Sequence, residues 1–253
     1  MKMGVLSKVS PRRLITVTKL LSYGRPRCLK LVREVVTAKK GIEIGGPSAV
    51  FRRKFNLPVY DCVGTLDNCD FSQNTTWSNH TPDFVFNKAK PSGRTYFCEG
   101  SDLKPVADHT YDFLLSSHNL EHLANPFKGL REWQRVVVPG GYLAVVLPHY
   151  AHTPDRRRKP TSVDHMLEDF RNNVGEDDLT HVDEILEAYL LQPGSRPYEE
   201  MRARLLNNYS HRMIHHHVFD EANSREMFEA AGFKVLSVEM QPPFHIISIM
   251  QLP

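Results

Sequence analysis

No apolar run in the sequence approaches the ~18 residues of a membrane-spanning helix, which excludes an integral membrane protein built on such helices. Cysteine is scarce, with four residues (Cys28, Cys62, Cys69, Cys98) in 253 and no CxxC pair among them. That excludes a disulfide scaffold, predicts buried thiols at Cys62, Cys69 and Cys98, and argues for a reducing compartment such as the cytoplasm. There is no internal repeat. Neither GxGxxG nor GxxxxGK[ST] occurs, so the usual phosphate cradles are missing. The basic N-terminus is followed by no apolar stretch with a small-residue cleavage site, which argues against a secretory signal.

The remaining composition is that of a globular protein, 41% hydrophobic and 24% charged. A chain of this length buries roughly 70–75% of its unfolded surface, enough for one large domain or two small ones. The formal charge of +3 hides an asymmetry. Residues 1–40 hold eleven basic side chains against the single acid Glu34, while the remaining residues sum to −7. Such a head is compatible with nucleic acid, an anionic membrane surface or an organelle address. Leu14, Val17 and Leu21 fit an amphipathic helix. The simplest expectation is an ordinary helix packed before the first strand, its cations solvated.

Periodicity gives the organisation. A helical pattern in 26–38 (Leu29, Val32, Val36) starts at Pro26. Gly41–Ile44 reads as a buried strand, Ser48–Phe55 as a helix and Val59–Val63 as a second strand; Asn68–Gly93 reads as a long loop with a little strand. Tyr111–Ser116, Leu120–Val136 and Tyr142–Leu147 then read as strand, helix and strand, a βαβ unit that implies a parallel sheet. Residues 151–215 turn polar and helical. Asp220 is placed to cap a helix ending at Gly232, and two strands close the chain. The organisation expected is a basic segment 1–40 and one α/β domain, 41–253, with a helical insertion at about 151–215.

The first stretch that carries chemistry is Gly41-Ile42-Glu43-Ile44-Gly45-Gly46-Pro47-Ser48, an acid near a strand end followed by a glycine turn. Bare glycines let a ligand approach the backbone. Glu43 would repel phosphate, and Pro47 removes a donor that a pyrophosphate would want, so a cationic ligand fits better. The second is Asp112 through Leu123, containing Ser116-Ser117-His118-Asn119-Leu120-Glu121-His122, followed by Arg131-Glu132-Trp133 through Pro139-Gly140-Gly141-Tyr142-Leu143. These closely resemble the fourth and fifth core segments of class I S-adenosylmethionine-dependent methyltransferases. Ala230-Ala231-Gly232-Phe233 resembles the closing part of that fold. The resemblance covers roughly 41–150 and 215–251. The Glu-Ile-Gly-Gly-Pro-Ser turn, Gly175–His181 and His215–Asp220 are most similar to bacterial methyltransferases associated with glycan biosynthesis.

The resemblance implies a Rossmann-like, seven-stranded, mostly parallel sheet with helices on both faces and the insertion after strand five. It implies S-adenosylmethionine as cofactor, with Glu43, Gly45 and Gly46 at its methionyl end. The ribose acid falls on Asp67 or Asp61, with Asp67 preferred. Asp102 matches the adenine acid and Leu103 its backbone contact; Ser117 and His118 would lie beside the sulfonium, with His122 a turn later. Pro47 and Ala49 replace the later glycines of the family's turn. The reaction implied is in-line methyl transfer to a small-molecule or glycan-linked acceptor, by O-methylation, for which alignment supplies most of the rate.

A hydroxyl acceptor needs a base. His149 and His118, just after strands five and four, are the catalytic candidates, His149 first. Arg156, in the run Arg156–Lys159, and His216 are candidates for acceptor contact. His215-His216-His217 invites a zinc reading, but adjacent side chains diverge, so no metal is expected. The alternatives are a nucleotide-sugar or dinucleotide enzyme on a similar sheet, which the missing GxGxxG disfavours, and a non-catalytic binding protein. Nucleic acid is disfavoured by the acidic body and the lack of interleaved aromatics and cations.

Overall fold

The computed structural model describes residues 24–75, 79–190 and 196–253. The amphipathic pattern at Leu14, Val17 and Leu21 lies outside them. Helix α1 (Leu29–Val36) buries Val32, Val35 and Val36. It is held from across the chain by Glu239, whose carboxylate accepts from the backbone N–H of Cys28 at 2.7 Å and of Arg27 at 3.1 Å. An acid at a helix N-terminus satisfies donors that have no intrahelical partner.

The strands are β1 (Lys40–Ile44), β2 (Thr65–Asp70), β3 (Asp83–Phe84), β4 (Gly93–Phe97), β5 (Tyr111–Ser117), β6 (Val137–Pro148), β7 (Lys234–Gln241) and β8 (His245–Gln251). They form one sheet in the order β3-β4-β2-β1-β5-β6-β8-β7. The sheet therefore has eight strands, not seven; the extra one is the two-residue edge strand β3, antiparallel to β4. From β4 through β6 all neighbours are parallel, and β8 and β7 close the sheet antiparallel. Strand β1 pairs with β2 on one side and β5 on the other, and there the strand order reverses. In an open α/β sheet such a switch point opens a crevice at the strands' carboxyl ends.

Alternation along the strands separates two cores. Ile42, Ile44, Leu143, Val145, Leu147, Ile246 and Met250 face helices α2 (Pro126–Val136) and α7 (Glu221–Ala230), with Trp133 and Phe228 fully buried between. Phe113, Leu115, Ala144, Val146, Ile247 and Ile249 face the other way, onto α1 and a cover of loop residues that includes Phe51, Leu57, Val59, Tyr60 and Phe86. The insertion between β6 and α7 carries α3 (Val163–Arg171), α4 (Val182–Leu190), α5 (Tyr198–Leu206) and the short α6 (Asn208–His211). Among the described residues no helix is long and apolar enough to cross a membrane.

Three expected elements fold differently. The helix expected at Ser48–Phe55 is a single turn, Ala49–Phe51, because the chain doubles back and the N–H groups of Leu57 and Val59 bond to the carbonyls of Val50 and Phe51. Val59–Val63 is not a strand; its apolar side chains serve in the loop cover, and the strand follows at Thr65–Asp70. The helix expected over Leu120–Val136 is cut in two. A turn at Leu120–His122 ends in extended Leu123, and α2 starts afresh where Asn125 accepts from the Lys128 N–H at 3.0 Å ahead of Pro126.

Candidate active site

A cavity of about 300 Å³ lies at the carboxyl ends of β1, β2, β4 and β5, at the lower end of the usual size for small-molecule sites. Gly45 and Ile44 come from the end of β1, Cys69 and Asp70 from β2, Glu99 and Gly100 from beyond β4, and His118 and Asn119 from beyond β5. Glu121, His122, Arg212 and His215 complete the wall.

The glycine turn is built as a clasp. Glu43 is fully buried, and its carboxylate accepts from the Ser48 N–H at 2.9 Å and the Tyr60 hydroxyl at 2.6 Å. Burial pushes its pKa up, against those hydrogen bonds. Both oxygens are committed to the turn, so Glu43 positions the loop and does not line the cavity. Gly45 does line it, at φ +76°, where a Cβ would stand 2.9 Å from Asn119 Nδ2. Gly46 is packed against Glu43, with a Cβ position 2.4 Å from Glu43 Cδ, and donates to Asn68 Oδ1 at 2.9 Å.

The acids of the cavity are not those expected. Asp67 is in mid-strand, accepting from the Tyr111 hydroxyl and the Arg94 N–H, each at 2.8 Å, and Asp61 pairs with Arg33. The acid at the end of strand two is Asp70, paired with His80 at 2.9 Å and facing the cavity. Asp102 points elsewhere, to Lys104 at 2.6 Å, and the Leu103 N–H is taken by Glu132 at 2.9 Å. Glu99, three residues earlier, is the cavity acid, in an ion pair with Arg212. Ser117 is buried and does not form the cavity wall.

The histidines also redistribute. His149, the first choice of base, is occupied. Its Nδ1 accepts from the Ala151 N–H at 3.2 Å, its Nε2 faces Glu221 at 3.1 Å, and it is not in the wall. His118 is in the wall at φ +53°, a backbone region unfavourable for a side chain with a Cβ and found at strained functional positions. Its Nε2 lies 2.9 Å from His245 Nδ1. Burial, with the neighbouring His118, pushes the His245 pKa down to about 3. Burial likewise takes His122 down to about 4. Of the histidine triplet it is His215, not His216, that reaches the cavity; His216 is buried against Asn208 and Asp178.

His215 has the setting of a base. Its Nδ1 donates to Asp155 Oδ2 at 2.6 Å, which leaves Nε2 as the basic nitrogen. Burial lowers the imidazole pKa, but the Asp155 hydrogen bond and charge outweigh it and the pKa is raised. Asp155 is held down to about 2 by His215 and Arg158, against burial. Arg158 fixes the pair: it donates to Asp155 at 3.1 Å and to the carbonyls of His215 and His216 at 2.7 and 3.1 Å. In the basic run, Arg158 is thus the buried member, while Arg156 is exposed and outside the cavity.

Several polar atoms here are buried without a hydrogen-bond partner: Asn119 Oδ1, Glu121 Oε2, and Arg212 Nε and Nη1. The first two are acceptors suited to a cationic ligand, and Arg212 offers donors to an anionic group. Glu121, His122 and His215 also bring donor atoms within 4.8 Å of one another, a set able to hold a divalent cation. Asp70, Glu99, Asp155 and Arg212 went unseen in the sequence, and His215 was weighed only within the histidine triplet. Only His215, beside the chosen His216, and Asp70, three residues past Asp67, had any signal there.

With this geometry in place, the chain can be set beside known proteins. The methyltransferase domain family model matches residues 69–145, which run from the end of β2 through β6. A solved S-adenosylmethionine-dependent methyltransferase of Methanosarcina mazei, 16% identical, shares the fold over 88% of this chain and 96% of its own, with a TM-score of 0.50. A methyltransferase of Aquifex aeolicus (15% identity, 94% and 98% covered, TM-score 0.43) is also similar. So is a Burkholderia thailandensis 1,6-didemethyltoxoflavin-N1-methyltransferase solved with its acceptor and S-adenosylhomocysteine (10%, 98% and 93%, 0.47). No curated protein matches the chain by sequence. The matched segment is thus that of a methyltransferase domain, and the fold is the one seen in S-adenosylmethionine-dependent methyltransferases.

Proposed function

We propose that the cavity holds S-adenosylmethionine and methylates a hydroxyl of a small-molecule or sugar-linked acceptor, with His215 as general base. The observation that carries this reading is His215, in the wall of a cavity at the sheet's switch point and hydrogen-bonded to Asp155 behind it. The residues fit the cofactor: the bare Cα of Gly45 leaves room that a Cβ would fill, and Asn119 and Glu121 offer unpartnered acceptors to a cation. S-adenosylmethionine supplies an activated methyl group on a sulfonium. Asp70, at the end of β2, takes the ribose hydroxyls, and Glu99 and Gly100 flank the base. Arg212 receives a carboxylate, of cofactor or acceptor.

His215 Nε2 takes the acceptor's proton while Asp155 steadies the resulting imidazolium, a contribution typically of 10²–10⁴-fold. In-line alignment does the rest. An acceptor of glycan type follows from the resemblance of the Gly175–His181 and His215–Asp220 phrases. The test has two parts. Titration calorimetry should show S-adenosylmethionine binding to the wild type and to His215→Asn alike, and absence of binding at high micromolar cofactor sinks the reading. With an acceptor found by screening sugars and phenols, His215→Asn should lower kcat by about 10²–10⁴. The acid limb of kcat/KM should lie above 6.5, because the base must be neutral and Asp155 favours its protonated form.

A further inference from the structure

Outside the cavity, three imidazoles converge on one carboxylate. His165 is on α3, His181 just ahead of α4, and His217 in the segment that leads into α7. His165 Nε2 and His181 Nε2 are 3.3 Å apart. Asp169, one helical turn beyond His165, sets Oδ2 at 3.5 Å from His165 Nε2 and 3.6 Å from His217 Nε2. Donor atoms of the three histidines all fall within 4.8 Å of one another.

Hydrogen bonding accounts for only part of the cluster: His217 Nε2 donates to the Ala124 carbonyl at 3.3 Å, and His165 and His181 share one bond. Asp169 Oδ2 is buried and takes no hydrogen bond, although two imidazole nitrogens stand close to it, and His217 Nδ1 is also buried without a partner. The spacing has another meaning. A tetrahedral shell at about 2.0–2.1 Å per bond sets its donors about 3.3 Å apart. Three nitrogens and one carboxylate oxygen make a set suited to zinc and its neighbours, not to magnesium or calcium.

We propose that His165, Asp169, His181 and His217 bind one zinc-class divalent ion in a closed structural site. Glu184 Oε2, 3.5 Å from His181 Nδ1, orients that ligand in the manner of outer-shell carboxylates. His217 donates through Nε2 to the Ala124 carbonyl, which leaves its buried, unpartnered Nδ1 as the ligating nitrogen. His165, with 39% of its side chain exposed, borders a surface hollow shared with Arg157, Ser162 and His181, which gives the ion an entry path. Adjacent histidines do diverge, and they do so into two places: His215 to the cavity and His217 to this cluster. The ion clips α3, the chain ahead of α4 and the segment two residues from His215. The same Glu184 binds Arg158, which holds the His215 carbonyl.

The site stands apart from the cofactor cavity and its fate is independent of the methyl-transfer reading. The full chain, stripped with a chelator and dialysed, is titrated with Zn(II) alone, and Co(II) is added in parallel for its tetrahedral absorption. The wild type should take up Zn(II) at this site, show tetrahedral Co(II) bands, and gain about 5–10 °C in Tm at free zinc near a hundredfold Kd. His165→Gln and Asp169→Asn should each lose that site or weaken it at least tenfold, while Glu121→Gln retains it. His165→Gln changes a half-exposed side chain and keeps the comparison possible if Asp169→Asn does not fold. No uptake by the wild type, or uptake unchanged in His165→Gln, overturns the proposal. So does uptake lost only in Glu121→Gln, which would move the ion to the cavity trio.

Discussion

Gly45 shows how one missing atom shapes the site. Its φ of +76° is a left-handed conformation, and its Cβ position lies 2.9 Å from the Asn119 amide. A side chain there is disfavoured by about 1–2 kcal/mol of backbone energy and would also push Asn119 into the cavity. Gly45→Ala should therefore weaken S-adenosylmethionine binding at least tenfold by calorimetry and lower Tm by a few degrees. An unchanged Kd would mean that the cofactor does not approach this turn. At this scale the sequence was informative about which residue types matter and poor about which copy is used. Glu43, Asp67, Asp102 and His216 were read as ligand contacts, and His149 as the base. Each instead spends its polar atoms on the protein itself, through Tyr60, Tyr111, Lys104, Asn208 and Glu221 respectively. Whether an acid is consumed by a neighbour depends on residues far along the chain, which spacing does not record.

Among the elements, those buried on both faces were legible. Strands β5, β6 and β8 are near-continuous apolar runs, as parallel or central strands must be. Helix α7 announced itself through Asp220, which accepts from the Asn223 N–H at 2.9 Å while the Asn223 side chain returns a bond to the Asp220 N–H. Asp220→Ala should cost about 1 kcal/mol in urea denaturation, since it orphans a donor at the helix start; a cost near zero would show that Asn223 alone secures the cap. Strand β2 was legible only as a strand end at Leu66-Asp67-Asn68, because Thr65-Leu66-Asp67-Asn68-Cys69-Asp70 reads as a polar stretch. Asp67 accepts from the Arg94 N–H of the neighbouring strand β4, and Asn68 from the Gly46 N–H of the glycine turn, so both polar side chains are used within the fold. The adjacent apolar stretch Val59–Val63 drew the strand assignment instead, though its residues cover the sheet without extending it.

For the whole molecule, acid stability concentrates in the insertion. Asp155 has a folded pKa of about 2, below its ordinary 3.8, because it is paired with His215 and Arg158. A depressed carboxylate stabilises the fold above its unfolded pKa, and that contribution fades as pH falls through the folded value. The wild type should therefore lose on the order of 2 kcal/mol between pH 4 and 2 from this group. Asp155→Asn should be less stable at pH 7 and show a flatter acid limb in urea midpoints measured against pH. Parallel limbs for the two proteins would place the acid sensitivity elsewhere. The charge split of the sequence also takes shape at this scale. Glu239 fastens the backbone at Arg27 and Cys28, within the basic segment, to β7, the edge strand at the rim of the sheet opposite β3.

The clasp at Glu43 ties the end of β1 to the loop cover on one side of the sheet. Its partner Tyr60 is buried in the loop cover, in contact with the rings of Phe51 and Phe86. Where helix α1 and loops, in place of a full helical layer, make up that side, the cofactor turn is braced by aromatic packing and not by a helix following β1. Phe86 is not among the residues of the cavity wall, yet it packs on the Tyr60 ring that holds Glu43, and so braces the turn that carries Gly45. Evolution could adjust affinity there without altering a single contact to the ligand.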